Sequence, residues 1–473
     1  MQITSPAFKE RASRALADAG LQKALDSSKA TSHAKRAAAV AALPEFERLR
    51  DLGRDIKNHT LANLDFYLEA WAGKVEAAGG KVHWCPTADA ARAAVLAICR
   101  EAGARTVTKG KSMISEELSL NEHLEAHGIQ PVETDLGEYI LQLRNEPPSH
   151  IIGPAFHLNR EDWEESFRRA HTDLPAGRAF PERRDIMAEA RAKLRDRFLA
   201  ADVGITGANF LIAETGSSVI VTNEGNGDLT QTLPRVHIVL ASIEKVVPTL
   251  EDAAVFLRLL ARSATGQDLS VYTTFSTGRR RPGDLDGPEE YHVVLLDNGR
   301  SAMLGTEFQD MLRCIRCAAC MNHCPVYGVV GGHSYGWVYP GPMGSVLTPT
   351  LIGVDKAGHL PNASTFCGRC ESVCPVRIPL PGLMRHWRER EFERHLTPAT
   401  IRRGLGLWAW FARRPGAYRL ATRAAMAALG LLGRRRGAFR SLPLAGGWTR
   451  GRDLPAPEGP TFMAQYARAR RQG

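Results

Sequence analysis

The run Cys314-Ile315-Arg316-Cys317-Ala318-Ala319-Cys320-Met321-Asn322-His323-Cys324-Pro325 decides how the last third of this chain folds. Its four cysteines follow the spacing C-x2-C-x2-C-x3-C, and a proline closes it. Three thiolates at every third position wrap one iron-sulfur cluster, whereas the fourth, displaced by one residue, points toward a second cluster. The run therefore predicts a pair of clusters.

A second run, Cys367-Gly368-Arg369-Cys370-Glu371-Ser372-Val373-Cys374-Pro375, has the same ending but is one cysteine short. When the two endings are aligned, the missing position falls on Ser364. In two-cluster proteins the last cysteine of each run binds the other run's cluster. We therefore predict one complete [4Fe-4S] cluster and a second cluster with three thiolates. The first set is Cys314, Cys317, Cys320 and Cys374, and the second set is Cys324, Cys367 and Cys370.

The incomplete ligand set leaves the chemistry of the second cluster open. Three thiolates hold either a [3Fe-4S] centre or a [4Fe-4S] cluster whose fourth iron takes Ser364, another oxygen or nitrogen ligand, or a substrate. An electron relay is favoured over a reaction site, because exchanged ligands mainly serve electron transfer. Zinc is the competing interpretation, since C-x2-C pairs also bind it, but a zinc ion needs only four ligands. Seven clustered cysteines favour the clusters.

Other potential ligands have simpler interpretations. His333 lies in a segment rich in glycine and aromatic residues between the runs, and His359 follows it. Both are conceivable cluster ligands, but glycines that permit close turns favour a packed loop. Cys85 at the end of a strand and Cys99 on the apolar side of a helix are predicted to be core residues.

The hydrophobic pattern upstream of the runs predicts an α/β domain. Helical spacing covers residues 7–78, and from Lys81 short apolar runs alternate with helices, as in a largely parallel sheet. The predicted strands are 82–84, 106–108, 151–152, 209–214, 218–222, 235–241 and 291–296. The predicted division is a helical segment over 1–78, the α/β domain over 79–300, an all-α ferredoxin-like two-cluster module over 301–382 and a helical, arginine-rich extension over 383–473.

Three loops of the α/β domain are candidate ligand sites. Thr108-Lys109-Gly110-Lys111-Ser112 follows a strand and opens a helix, where free amides suit an anion. It lacks the glycines of a phosphate-binding loop, so a capped turn with exposed lysines is favoured. Glu214-Thr215-Gly216-Ser217 and Asn223-Glu224-Gly225-Asn226 are weaker candidates, because ordinary turns use the same residues.

Positive charge is concentrated at the end of the chain. Residues 377–473 hold 20 arginines, no lysine and five acids, and the last thirty residues are predicted to be extended or partly disordered. No nucleic-acid motif accompanies the charge, so docking on a partner protein or an anionic membrane surface is favoured and nucleic acid is not expected. Neither an export signal nor a spanning stretch is visible. We expect a cytoplasmic protein, at most peripheral at the inner face of the membrane.

Taken together, these features resemble the lactate utilization protein B family over essentially the whole length. The resemblance rests on both cysteine runs and on four other stretches. These are Thr108-Lys109-Gly110-Lys111-Ser112, Ala213-Glu214-Thr215-Gly216-Ser217, Gly331-Gly332-His333 through Tyr339-Pro340-Gly341-Pro342, and Trp448-Thr449-Arg450-Gly451-Arg452-Asp453-Leu454-Pro455.

The resemblance implies an iron-sulfur subunit that takes part in the oxidation of L-lactate to pyruvate. It implies two [4Fe-4S] clusters and two companion proteins, a cysteine-rich subunit and a second protein with a lactate-utilization domain. It also implies a likeness of the N-terminal domain to ribose-phosphate isomerase and CoA-transferase folds. The chain has no dinucleotide fingerprint, which favours a relay without activity of its own. The alternatives are a subunit for another 2-hydroxy acid or a quinone-linked reductase, and a catalytic subunit that uses the open iron or an α/β pocket.

Overall fold

The computed structural model describes residues 2–110, 112–173, 177–442, 446–449 and 451–472. The chain forms two compact units, Met1–Glu391 and Phe392–Gly473. Among the described residues, no helix is both long and apolar enough to span a bilayer. Lys111 and Arg450, which belong to two of the motifs above, lie outside the described residues.

Four helices precede the first strand and confirm the helical interpretation of residues 7–78. They are α1 (Phe8–Ala17), α2 (Ala19–Ala41), α3 (Phe46–Ala62) and α4 (Leu64–Ala77), after a 3₁₀ turn at Ser5–Ala7. Asp18 caps α2 by accepting a hydrogen bond from the Leu21 amide at 3.0 Å. The start of the chain is anchored by the Thr4 amide, which donates to the Gly336 carbonyl at 2.8 Å. Gly336 has a φ of 71°, and a Cβ there would lie 2.5 Å from the Ser5 nitrogen, so only glycine fits.

Within the described residues, twelve strands form three sheets. They are β1 (Lys81–Cys85), β2 (Thr106–Lys109), β3 (Gln130–Glu133), β4 (Val203–Gly207), β5 (Phe210–Ile212), β6 (Ser217–Thr222), β7 (Val236–Ser242), β8 (Val246–Val247), β9 (Tyr272–Ser276), β10 (Glu290–Leu296), β11 (Ala438–Phe439) and β12 (Leu454–Pro455). The main sheet has the order β1-β10-β7-β4-β2-β3, and its neighbouring strands all pair in parallel. The predicted α/β architecture around a parallel sheet is confirmed. Strand β7 is buried at every residue, as a central strand covered on both faces should be.

Eight helices connect or cover these strands. They are α5 (Ala88–Glu101), α6 (Met113–Glu117), α7 (Leu120–Glu125), α8 (Leu136–Arg144), α9 (Arg160–Ala170), α10 (Arg183–Leu199), α11 (Asn226–Thr232) and α12 (Leu250–Ala264). The predicted opening of α5 at Thr87 is confirmed, because the Thr87 hydroxyl accepts from the Ala90 amide at 3.2 Å. The predicted turn at 225–228 is the start of α11, with Gly225 as its N-cap at a φ of 70°.

One sequence interpretation of this domain is wrong, and one feature of it was not predicted. Residues 151–152 form a bend, not a strand. The bend is held by the His150 side chain, whose Nδ1 accepts hydrogen bonds from the Ile152 and Gly153 amides at 3.1 and 3.0 Å. A second sheet, β8-β5-β6-β9, was not predicted as such, and its strand β9 lies within a stretch with no clear alternation of buried and exposed residues.

The cysteine runs lie in a region of short helical turns. Its 3₁₀ turns are Ser301–Met303, Gln309–Arg313, His333–Tyr335 and Leu360–Asn362. Its helices are α13 (Ala319–Asn322), α14 (Tyr327–Val330), α15 (Gly341–Ile352), α16 (Val354–Ala357), α17 (Arg369–Ser372) and α18 (Leu380–Glu393). The two runs, the segment between them and parts of α3 and α12 share one hydrophobic core.

The C-terminal unit is largely helical, as predicted. It contains α19 (Ala399–Ala412), α20 (Pro415–Gly433), α21 (Gly446–Thr449) and α22 (Phe462–Gln472). The prediction that the last thirty residues are extended or disordered is wrong for α22. The Thr461 hydroxyl caps this helix by accepting from the Ala464 amide at 3.4 Å, and the rings of Phe462 and Tyr466 stack with centroids 5.9 Å apart.

Candidate iron-sulfur site and adjoining cavity

Six of the seven predicted cluster cysteines lie in or against one hydrophobic core. We call the predicted set Cys314, Cys317, Cys320 and Cys374 the first thiol group, and the predicted set Cys324, Cys367 and Cys370 the second thiol group. Burial raises the pKa of Cys320 well above its ordinary value, and the thiolate charges of Cys314, Cys317 and Cys374 raise it further. Burial likewise raises the pKa of Cys370 to about 12, with contributions from the Cys324 and Cys367 thiolates. The charge of Cys370, which belongs to the second group, also raises the pKa of Cys320.

The backbone around the thiols suits a negatively charged cluster. Arg316 and Ala318, inside the first run, have φ values of 60° and 61°, which non-glycine residues adopt only when the surrounding structure requires it. Two backbone amides donate directly to sulfur. The Ile378 amide lies 3.4 Å from Cys374 Sγ, and the Tyr327 amide lies 3.5 Å from Cys324 Sγ. Amide donors of this kind stabilise cluster sulfurs, so the residues fit the group.

The second thiol group lies nearer the surface than the first. Cys367 is exposed, and hydrogen bonds from Thr365 and from the Arg369 amide lower the pKa of its thiol. Ser364 is half-buried, and its hydroxyl accepts from the Phe366 amide at 3.1 Å. Within the described chain this hydroxyl forms no hydrogen bond to a thiol of the group.

No three His, Cys, Asp or Glu side chains among the described residues converge closely enough for a single metal ion. The two histidines considered as ligands hold loops together. His333 Nε2 lies 2.8 Å from the Pro147 carbonyl oxygen, and His359 Nε2 lies 2.8 Å from the Ser5 carbonyl oxygen. Burial lowers the pKa of His333 to about 4. The packed-loop interpretation of this segment is confirmed.

Arginines from the N-terminal helices bind the second cysteine run. Arg50 of α3 donates to the Cys374 carbonyl at 2.8 and 3.0 Å and to the Ser372 carbonyl at 2.8 Å. Arg36 of α2 donates to the Val373 carbonyl at 3.2 Å. Both side chains are buried, so their charges oppose the negative charge that thiolates and clusters bring to this core.

A buried chain of ion pairs joins the first run to the α/β domain. Arg316 donates to Glu244 Oε1 at 3.0 Å, and Arg300 Nε lies 3.1 Å from the other oxygen of Glu244. Arg300 also donates to both oxygens of Glu117, at 3.0 and 2.7 Å. Tyr339, from the segment between the runs, donates to Glu117 at 2.7 Å.

Two buried lysines lie near Glu244, a carboxylate of this chain of ion pairs, and their charges interact with that of Cys314. Lys57 of α3 donates to the Glu244 carbonyl, and Lys245 is the next residue after Glu244. Burial lowers the pKa of each lysine to about 8, while the Glu244 carboxylate and the Cys314 thiolate oppose the shift. Positive charge is therefore placed beside Cys314 from two elements of the fold.

The candidate anion loop after β2 is a capped turn. Ser112 caps α6 by accepting from the Ser115 amide at 3.3 Å. The expectation of an exposed lysine is wrong for Lys109, which is 1% exposed because Glu133 on the neighbouring strand draws it inward at 2.6 Å. Its Nζ also donates to Glu116 at 3.0 Å and to Ser115 at 2.9 Å, so it is fully paired.

A cavity of about 830 Å³ lies between the α/β sheet and the first cysteine run. Asn223, Glu224 and Asn226 line it, as the sequence suggested, whereas residues 214–217 do not. Arg316 and Lys245 also form part of its wall. Its apolar lining includes Ile114, Ile152, Phe156, Ile220, Leu240 and Leu260.

The two remaining cysteines are core residues, as predicted. Cys99 is completely buried against the sheet, and burial raises the pKa of its thiol to about 12. Cys85 ends β1 in the same core and is 4% exposed.

Sequence reasoning missed the charged residues that surround the first run. Glu244 and Lys245 lie two and three residues after the end of strand β7, and the carboxyl end of a parallel strand is where functional side chains collect. Arg316 stands inside the quoted run itself. These positions could have identified the charged residues as parts of a site. Their pairing could not be predicted, because the paired residues lie far apart in sequence.

Two family models match the chain. The LUD domain matches residues 68–296, and the 4Fe-4S dicluster domain matches residues 310–378, which include all seven cysteines of the two groups. The chain therefore carries two [4Fe-4S] clusters.

Curated relatives match the chain over nearly its whole length. Lactate utilization protein B of Bacillus licheniformis is 41% identical, with 100% of this chain and 98% of the relative covered. The proteins of the same name from Bacillus subtilis and Macrococcus caseolyticus are 41% and 43% identical, covering 99% and 98% of this chain and 97% of each relative.

One solved structure shows a weak likeness. The crystal structure of a DUF162 family protein from Deinococcus radiodurans at 1.70 Å resolution is 14% identical, with a TM-score of 0.26. The match covers 49% of this chain and 98% of that chain. It carries no argument about fold or function.

Proposed function

This chain belongs to the lactate utilization protein B family, and on that premise we propose that it is the iron-sulfur electron-transfer subunit of a system that oxidises L-lactate to pyruvate. The proposal rests on the two thiol groups that share one buried core. The first group is sheltered, and the second reaches the surface at Cys367. When bound, the two clusters supply one-electron transfer.

The proposed ligands of the first cluster are Cys314, Cys317, Cys320 and Cys374. Those of the second are Cys324, Cys367 and Cys370, with Ser364 or an exogenous group at the fourth iron. The mutual influence of the thiol charges supports this exchange, because Cys374 acts on Cys317 and Cys320 although it lies in the other run.

The protein side chains hold the site and compensate its charge. Arg50 and Arg36 fix the loop around Cys374, and Arg316 and Lys57 bring positive charge to Cys314. The hydrophobic core excludes water from the first group. The exposed Cys367 marks the face on which we propose that an electron-transfer partner docks.

We also propose the finer architecture implied by the resemblance. The proposed division is 1–78, 79–300, 301–382 and 383–473; the ends of the LUD match at 296 and of the dicluster match at 378 support its second and third boundaries, whereas the LUD match begins earlier, at 68. Short helical turns support an all-α ferredoxin-like module, and the parallel sheet is compatible with a likeness to ribose-phosphate isomerase and CoA-transferase folds. The proposed partners are a cysteine-rich subunit and a second lactate-utilization protein. The arginine-rich C-terminal unit is a proposed contact for a companion or, at the inner membrane face, for a quinone-linked acceptor.

The test is to purify the holoprotein without oxygen and follow cluster reduction by electron paramagnetic resonance after adding L-lactate, alone and with both companions. We expect reduction only with the companions, and weaker or no reduction when glycolate replaces L-lactate. Reduction by L-lactate without companions would show a catalytic subunit instead of a relay. Reduction by glycolate but not by L-lactate in the full complex would assign a different 2-hydroxy acid.

A further inference from the structure

The cavity beside the first cysteine run has no part in the relay described above. It lies at the carboxyl edge of the main sheet, where the chain changes direction: β3 lies on one side of β2, and β4 lies on the other. Ligands of open α/β sheets bind at such a switch point. The cavity is lined by residues that follow these three strands, including Ser112 after β2, Asp135 after β3 and Asn209 after β4.

A buried cation in the cavity wall has no hydrogen-bonding partner within the described chain. Lys245 is 7% exposed, and within the described chain its Nζ forms no hydrogen bond and no ion pair. Lys57, on which the Glu244 and Cys314 charges also act, instead donates to the Glu244 carbonyl. A buried ammonium group is costly unless an anion or a hydrogen-bond acceptor meets it. The wall at Lys245 is therefore suited to a negatively charged ligand.

The positive wall adjoins the first thiol group. Arg316 lines the same cavity, and the charge of the Cys314 thiolate acts on both Arg316 and Lys245. The acids in the lining are occupied: Asp135 accepts from the Gly137 amide at 3.0 Å, and Glu224 accepts from the Leu136 amide at 3.2 Å.

We propose that this cavity binds a small organic acid, with its carboxylate paired by Lys245 and its carbon skeleton against the apolar wall. The volume of about 830 Å³ is within the range of about 300–1,000 Å³ typical of small-molecule sites. The choice of a 2-hydroxy or 2-oxo acid rests on the proposed function, whereas the anion site itself does not. Such a ligand would lie within electrostatic reach of Cys314.

The test is a calorimetric titration of the anaerobic holoprotein with L-lactate, pyruvate and 3-phenyllactate, whose larger body would use more of the cavity. We expect at least one acid to bind. Lys245→Gln should weaken its binding about 10- to 100-fold, the effect of losing a charged hydrogen bond. Lys57→Gln is the matched control, because it removes the same charge beside Glu244, Arg316 and Cys314 but does not line the cavity. It should change affinity by less than about threefold.

Two further variants keep the test decisive if Lys245→Gln loses its clusters. Lys245→Arg retains the charge and should retain binding, and Ile152→Trp should fill the apolar part and abolish binding of 3-phenyllactate. Failure of all three acids to bind the wild-type holoprotein would overturn the proposal, as would equal loss of affinity in Lys245→Gln and Lys57→Gln. Binding without lactate-driven reduction in the full complex would leave the acid site standing and contradict only the proposed function.

Discussion

Arg316 donates to Glu244 at 3.0 Å and thereby ties the first cysteine run to the end of the buried strand β7. Burial alone would raise the pKa of Glu244, but Arg300 and Arg316 outweigh it and hold the pKa at about 2. The α/β domain and the iron-sulfur module therefore share one buried carboxylate.

Removing this charge should destabilise the whole first unit. Glu244→Gln leaves Arg316 without its buried counter-charge, and breaking such a pair costs about 3–5 kcal/mol. Urea unfolding without oxygen, followed by circular dichroism, measures the loss. Glu290→Gln is the control, because its pair with Arg235 is partly exposed and should be worth less than about 1 kcal/mol. Equal effects of the two variants would mean that Glu244 does not join the domains.

Arg50 should govern the stability of the loop around Cys374. Lysine cannot reproduce the forked donation of Arg50 to the Cys374 and Ser372 carbonyls, so Arg50→Lys should cost about 1–3 kcal/mol and speed the loss of iron in air. Time courses of visible absorbance report the iron loss. The exposed Arg48→Lys on the same helix should behave like the wild type. Identical time courses for the two variants would contradict the role assigned to Arg50.

Glu138 should give the stability of the α/β domain a distinct pH dependence. Burial raises its pKa well above the ordinary value, and Glu133 and Asp135 add to the shift, while neither carboxyl oxygen of Glu138 has a hydrogen-bond partner within the described chain. Between the unfolded pKa of about 4.3 and the higher folded pKa, the folded state holds more protons. Stability therefore falls as the pH rises through this window.

The variant Glu138→Gln removes this titratable carboxyl group. The difference in free energy of unfolding between Glu138→Gln and the wild type should therefore shift in favour of the variant from pH 5 to pH 8. Urea denaturation at both pH values measures this difference. The exposed Glu125→Gln on α7 is the control and should show no such gain. If the wild type and Glu138→Gln respond in parallel to pH, Glu138 is ionised in the folded protein and the assignment is wrong.

Cys99 should be dispensable for both clusters. Its thiol is completely buried among apolar residues, so Cys99→Ala should reduce the free energy of unfolding by about 1 kcal/mol and leave the iron content unchanged. Iron analysis and the visible spectrum check this outcome. A variant that loses about half of its iron would show that Cys99 is a ligand after all.

Local sequence patterns correctly predicted the strands and helices whose conformation depends on their own residues. Strand β7 is uniformly apolar and buried, and α5 begins at a capping threonine, as expected. The pattern failed where hydrogen bonds from a neighbouring polar side chain determine the backbone conformation. Residues 151–152 have the apolar character of a strand, but the His150 side chain accepts hydrogen bonds from the Ile152 and Gly153 amides and bends the chain.

The clustering of the seven cysteines could be predicted from sequence, but their surroundings could not. The spacing of the thiols in each run is local, so the cysteines could be identified from sequence alone. The partners of Lys109 and Arg316 are not local, because Glu133 and Glu244 meet them only after parallel strands have paired. The cavity has the same origin, since its wall combines loops that follow several strands with the first cysteine run.

In the proposed site, the two cysteine runs exchange their last ligands. Electron paramagnetic resonance of anaerobically reduced single variants tests it most directly, starting from a wild type with roughly eight irons per chain. We predict that Cys374→Ser leaves the same residual signal as Cys314→Ser, and that Cys324→Ser leaves the same residual signal as Cys370→Ser. Ser364→Ala should retain the first cluster. If Cys374→Ser instead matches Cys370→Ser, each run binds its own cluster and the account is contradicted.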